Sequence, residues 1–211
     1  MNNPAALISA DYFSRPEDNE TATRILDAAL TLYLEFGLRR TTMDDVARHA
    51  GIGRVTVYRH YADKNALFQA VVLRECWRAI QGIERRLADI PDPEERMVES
   101  FVLVVNGCRR HPLMRRLLDT EPEWLLPHLT VKGTGILDFG RGYIARYLRH
   151  AKGGGMGNDA MVDVLAEVFM RILNSLLLTP GGILAPEDEG ELRASARRFF
   201  LPLFRQQQPG P

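Results

Sequence analysis

Residues 41–64 read TTMDDVARHAGIGRVTVYRHYADK, and the order of residue types in this stretch decides the fold. Thr42 with Asp45 three residues on forms a capping box, S/T-x-x-D here, that starts a helix at Met43. Val46, Ala47 and Ala50 make the inner face of that helix, and the small alanines let neighbouring helices approach closely. Gly51 ends it at a position that wants a positive φ, and Ile52 tucks under the turn. A second helix of about two turns then runs near Arg54–His60. Its Val57 and Tyr61, four apart, point inward, which leaves Arg54, Val55, Thr56, Tyr58 and Arg59 on the other faces. Lys64 opens the next helix, where a cation opposes the helix dipole unless an anion binds beside it.

Two short helices joined by a glycine turn, with such side chains outward, suit a nucleic-acid duplex. Arginine engages guanine through two hydrogen bonds, valine and threonine touch a thymine methyl, and tyrosine or histidine bonds a phosphate oxygen. The helix start at Thr42 offers free amides to a phosphate, although Thr42 is equally read as a cap and nothing more. Tyr58 has the alternative of packing on the turn, and Arg59 that of a solvated surface arginine. Between Arg39 and Lys64 six basic residues face three acidic ones, a local excess in a chain whose net charge is zero. Zero net charge argues against coating nucleic acid by bulk electrostatics and leaves room for a small local footprint.

The 211 residues fit one globular unit or two small domains sharing a core. An apolar share of 45% and a charged share of 26% are ordinary for a soluble fold. No window of about 18 uncharged apolar residues exists, so no membrane association is expected. The first residues lack a basic segment followed by an apolar one, so no secretory signal is expected and the cytoplasm is the default. Cys76 and Cys108 stand 32 positions apart without C-x-x-C spacing, which supplies neither a disulfide framework nor a zinc site. They read as buried thiols, with a redox pair left open.

Outside the opening stretch the periodicity is helical almost throughout. Ile25, Ala29, Leu32 and Phe36 share a face that Gly37 closes. A long helix from Lys64 carries Phe68, Val72, Cys76, Ala79, Ile83 and Leu87 up to Pro91 and Pro93. The run FVLVV at 101–105 has the look of a buried strand, but its lead-in PEERMVES favours a helix entered through proline and acidic residues, near Pro93–Arg110. Short helices are expected near Leu113–Leu118 and Glu123–Leu126, and longer ones near Ile136–His150, Asp159–Leu178 and Pro186–Phe204. The glycines of AKGGGMGN, residues 151–158, follow no strand, so they read as a loop and not as a phosphate cradle. The fold class is all-α.

The run ILDAALTLYLEFGLRRTTMDDVARHAGIGRVTVYRHYADKNALF, within Thr23 to about Leu87, resembles the amino-terminal DNA-binding domain of the TetR/AcrR family of bacterial regulators. The resemblance implies a three-helix helix-turn-helix domain over 21–63, a connecting helix over 64–90 and a larger helical ligand-binding and dimerisation domain over 91–205. A flexible extension over 1–20 and a disordered tail over 206–211 flank them. It further implies a homodimeric repressor released from a palindromic double-stranded operator by a small-molecule effector. Carried over by position, Thr42, Arg54, Val55, Thr56, Tyr58, His60 and Lys64 contact DNA, with Arg59 beside them. Gly53 departs from the serine or threonine often found there, and His60 stands where tyrosine is frequent. Phe101, Cys108, Trp124, Phe139, Tyr143 and Phe169 are the pocket candidates, each with ordinary core packing as its alternative. Val168, Ile172, Leu176, Phe199, Phe200 and Leu203 are the candidates for the dimer interface, on the last two helices packed as a four-helix bundle.

Five scattered histidines, with no HExxH and no GxSxG, give no catalytic or metal-binding constellation, and no cofactor is implied. The rival to a ligand-released repressor is a helical dimer that acts through protein partners or a redox signal.

Overall fold

Asn19 opens the first helix by accepting hydrogen bonds from the Thr21 and Ala22 N–H groups at 3.0 and 3.2 Å, which satisfies donors that a helix start leaves free. In the computed structural model, which describes residues 19–131, 133–151, 159–179, 182–184 and 186–205, this helix is α1 (Glu20–Phe36). It is followed by α2 (Met43–Ala50), α3 (Arg54–His60), α4 (Lys64–Leu87), α5 (Pro93–Arg110), α6 (Pro112–Thr120) and α7 (Pro122–Leu129). Then come α8 (Thr134–Ala151), α9 (Asp159–Leu178), α10 (Glu189–Ser195) and α11 (Leu201–Arg205), with a π turn over Ala196–Phe200 joining the last two. No strand occurs among the described residues, so FVLVV is helical as its lead-in indicates. The expected extension at 1–20, loop at 151–158 and tail at 206–211 lie wholly or largely outside the described residues.

Two compact units divide the chain. The first combines the residues up to Ile80 with His111–Val131, and the second combines Gln81–Arg110 with the described residues after Val131. Residues 111–131, which the sequence reading placed with the carboxy-terminal segment, thus group with the amino-terminal helices. The reason is local. The apolar residues of two short helices, Leu113, Leu117, Leu125 and Leu129, cannot be buried by those helices alone and complete the first core.

In the first unit, Ile25, Ala29, Leu38, Val46, Val57, Leu67 and Val71 are fully buried, and Tyr33 meets Phe68 edge-on with ring centroids 6.1 Å apart. Arg74, also fully buried, is the exception to this apolar interior. Its Nη1 lies 2.8 Å from Asp27 and donates to the Thr23 carbonyl at 3.4 Å, while Nε and Nη2 find no hydrogen-bond acceptor. Ala79, expected on the buried stripe of α4, is exposed.

The second unit packs α5, α8, α9 and the closing helices around Met97, Val98, Val102, Val105, Leu148, Leu165 and Leu192. Arg193 meets Glu99, Arg197 meets Glu95, and Arg205 meets Glu94, a ladder of three ion pairs that fixes the closing helices along α5. The wide apolar arc of α9 resolves into two faces. Val162, Leu165, Phe169 and Leu176 point into the core, whereas Met161, Val164 and Val168 point outward. Leu176 and Phe200, expected at the dimer face, are therefore interior residues, 8% and 2% exposed. Adjacent residues on a helix point about 100° apart, so Phe199 is exposed where Phe200 is buried. Ile172 and Leu203 are half-buried against the core.

Candidate nucleic-acid interface

The helix-turn-helix is held by caps at both ends of α2. Thr42 accepts from the Asp45 N–H at 3.1 Å while Asp45 accepts from the Thr42 N–H at 3.0 Å, completing the capping box read from the sequence. The Thr42 hydroxyl also donates to Asp45 at 2.6 Å, so a phosphate that wants this proton must displace the carboxylate. These hydrogen bonds, and the Arg48 guanidinium after them, hold the Asp45 carboxyl below the usual carboxylate range. Gly51 adopts φ +62°, a left-handed cap, and Arg24 reaches from α1 to the Ala50 carbonyl at 2.7 Å. Orphan carbonyls at the end of α2 are thereby paired.

Helix α3 is fixed by one deep anchor, the fully buried Val57, with Tyr61 half-buried beyond it. Its other sides face out. Arg54, Tyr58 and Arg59 are exposed, Thr56 and His60 are half-buried, and Val55 is 83% exposed. Gly53 sits at the N-cap without a side-chain bond. The Arg54 Nε lies 2.9 Å from Asp44, and its guanidinium covers the Tyr58 ring. An exposed pair of this kind contributes about 0–1 kcal/mol, so it orders Arg54 without locking it away from a ligand. Seven of the eight expected contact residues lie within α3 or at the start of α2, and the eighth, Lys64, begins α4.

Lys64 departs from the simple expectation of a bare cation at a helix start. Its ammonium donates to the Arg39 carbonyl at 3.3 Å and lies 5.2 Å from the Trp124 ring centroid. Asp63 caps the helix by accepting from the Ala66 N–H at 2.8 Å. Burial draws the ammonium's pKa down, and the charge of Glu121 works the other way. Sequence reasoning missed Glu121, since nothing in its neighbourhood of prolines marks it.

The six pocket candidates are not brought together. Trp124 belongs to the first unit with Lys64, and the other five lie in the second. Phe101 and Phe169 both pack on Phe200, with centroids 4.3 and 5.8 Å away, as core rings. Phe139 is buried, and Tyr143 donates from its hydroxyl to Glu84 at 3.1 Å. Neither cysteine forms a disulfide, and burial pushes the Cys108 thiol up, away from the thiolate a redox sensor needs. A groove of about 450 Å³ is instead lined by Leu32, Phe36, Arg40, Thr41, Asp45, Arg48 and His49 beside the helix-turn-helix. No group of potential metal ligands occurs among the described residues, and no described helix is long and apolar enough to cross a membrane.

Residues 25–71 match the sequence profile of the bacterial regulatory proteins of the tetR family. An uncharacterised HTH-type transcriptional regulator of Mycobacterium tuberculosis is 29% identical over 199 residues, covering 93% of this chain and 92% of its own length. The HTH-type transcriptional regulator UidR of Escherichia coli is 34% identical over 86 residues, 41% of this chain and 43% of UidR. Among solved structures, the TetR family repressor AlkX from Dietzia aligns with a TM-score of 0.70 at 21% identity, covering 90% of this chain and 97% of AlkX. The Rhodococcus erythropolis repressor QsdR aligns at 0.61 and 19% identity, over 93% and 99% of the two chains. Residues 25–71 thus carry a helix-turn-helix domain of the tetR type, and along its length the chain resembles DNA-binding transcriptional regulators of that family.

Proposed function

We propose that the chain is a homodimeric repressor that seats α3 of each subunit in successive major grooves of a palindromic operator and is released by a small effector. The observation that carries this reading is the exposure pattern of α3. Val55, an apolar side chain with no core to fill, stands bare between Arg54 and Tyr58 on a helix fixed by buried Val57. A groove floor of base edges and thymine methyls matches that combination of an arginine, a bare valine and a tyrosine on one short helix. Arg54 and Arg59 read base edges or phosphates, Val55 and Thr56 meet methyl groups, and Tyr58, His60 and Lys64 hold the backbone. Thr42 adds the amides of the α2 start.

Two-fold symmetry would place half-sites one helical turn or a multiple apart. The outward stripe of Met161, Val164 and Val168 on α9, and the exposed Phe199 on the closing helices, support these helices as the dimer face. Effector binding is assigned to the second unit, where Phe101, Cys108, Phe139, Tyr143 and Phe169 remain the candidate wall. A coupling of about 1–3 kcal/mol between the sites would weaken DNA binding roughly 5–150-fold. The raised Cys108 thiol disfavours the redox alternative.

Binding of the purified chain to DNA from upstream of its own gene, titrated with salt, tests the reading. Specific binding should fall with a log–log slope of about −0.9 per phosphate neutralised. Equal affinity for a scrambled duplex would contradict it.

A further inference from the structure

Glu121 occupies the N-cap position of α7, directly before Pro122, yet its side chain makes no capping bond to that helix. Both carboxylate oxygens instead accept from the Arg39 N–H, at 3.0 and 3.2 Å, in the turn between α1 and α2. The residue is 8% exposed, so this charge is placed inside the unit, where it requires partners. Gly37 makes room for it. The glycine holds φ +83°, and a Cβ there would stand 2.5 Å from the carboxylate oxygen. Arg116 supplies a second tether, donating from α6 to the Glu35 carbonyl at 3.2 Å, at the end of a helix with no basic residue of its own in the last turn.

The turn that Glu121 grips is the turn that holds Lys64. The Arg39 N–H bonds Glu121, and the Arg39 carbonyl accepts from the Lys64 ammonium. Trp124, one turn into α7, presents its ring to the same ammonium at 5.2 Å. Lys64 is therefore surrounded by a carbonyl, a ring face and a buried negative charge. Together these aim the ammonium and offset its conflict with the α4 dipole. An ammonium has three donors, and one suffices for Arg39.

We propose that Glu121 is a positioning residue for DNA binding: it fixes the Arg39 turn and so aims Lys64 at an operator phosphate, with Trp124 as the second wall. This rests on the DNA-binding reading above. The groups involved lie in one compact unit, and none but Lys64 needs to touch DNA.

A double-mutant cycle on the full-length chain tests it, with operator affinity and its salt slope as readouts and circular dichroism melts as the folding control. Lys64→Gln should weaken binding about five- to tenfold and reduce the slope by about 1.8, since a dimer loses one phosphate contact in each half-site. Glu121→Ala should produce the same loss of affinity and of slope, although its side chain touches no DNA. Adding Glu121→Ala to Lys64→Gln should cost less than about twofold more, as expected for groups acting through one another. Glu121→Gln keeps an acceptor for the Arg39 N–H and should restore affinity to within about threefold. Should Glu121→Ala fail to fold, Trp124→Leu enters the same cycle with the same non-additivity expected. The proposal is overturned if Glu121→Ala leaves affinity and slope unchanged, or if it weakens binding by an equal factor in the Lys64→Gln background. It is also overturned, with the DNA-binding reading intact, if Lys64→Gln leaves the slope unaltered while Tyr58→Ala abolishes binding. Absence of any sequence-specific binding by the wild-type chain would instead remove the DNA-binding reading itself.

Discussion

The Arg54 guanidinium lies 5.4 Å from the centroid of the Tyr58 ring, one turn along α3, with both side chains exposed. An exposed cation–π contact contributes about 0.5–1 kcal/mol, enough to bias the arginine toward one orientation before any partner arrives. Tyr58→Ala removes both the ring that orders Arg54 and a hydroxyl available to a phosphate. Operator affinity should fall by about 2 kcal/mol or more, roughly thirtyfold, measured by fluorescence anisotropy. The melting temperature should change little, because the side chain fills no core.

Arg74 is fully buried, and Asp27, its closest ionic partner, is half in solvent. Asp27→Ala leaves the guanidinium poorly compensated and should destabilise the fold by about 2–3 kcal/mol. In a chain of this length the thermal midpoint should drop by roughly 4–12 °C. Arg74→Met removes the charge together with its need for partners and should melt close to the wild type. A larger loss for the methionine variant than for Asp27→Ala would show that the ion pair is a net stabiliser.

Glu75 gives the first unit an acid-sensitive component. Its carboxyl is held below the usual range by the His111 imidazole 3.6 Å away first, then by the charges of Arg78 and Arg74. A depressed folded value means stabilisation is present above the unfolded carboxylate value of about 4.3 and lost as pH falls through the lower folded value. Glu75→Gln should therefore be less stable than the wild type at pH 6, and the gap should close toward pH 3. Denaturant midpoints across that range measure it; a gap that widens on acidification contradicts the assignment.

The two faces of α9 make opposite predictions for one kind of substitution. Val168→Glu places a charge on the outward stripe and should yield a folded monomer by sedimentation. Leu176→Glu places it in the core and should unfold the second unit, with loss of helical signal at moderate temperature. A folded Val168→Glu dimer would move the interface elsewhere.

What the sequence discloses depends on how local the physics is. The bounds of α3 and α4 follow from a glycine N-cap, a buried valine four residues from Tyr61 and the aspartate before Lys64, all within a few positions of one another. The capping box at Thr42 and the left-handed turn at Gly51 are equally local. The inward or outward sense of Leu176 and Phe200 is not, because an apolar arc wider than one contact fits either assignment until the neighbouring helices are placed. Trp124 reads as a pocket candidate because it is bulky and stands in the variable part of the chain, and the structure sets the short helix that carries it beside Lys64. Glu121 and Arg74 were out of reach for a related reason. The Arg39 turn and Asp27 that account for them lie 82 and 47 positions away along the chain.

Val55 offers the most direct test of the DNA-reading surface, because it is exposed and can carry a photoreactive side chain without disturbing the fold. Val55→p-benzoylphenylalanine, irradiated with the operator duplex, should crosslink to bases within each half-site and lose the adduct when unlabelled operator is added in excess. Crosslinks at the same yield to unrelated DNA, or none at Val55 under conditions where the operator is bound, would show that α3 does not lie in the groove.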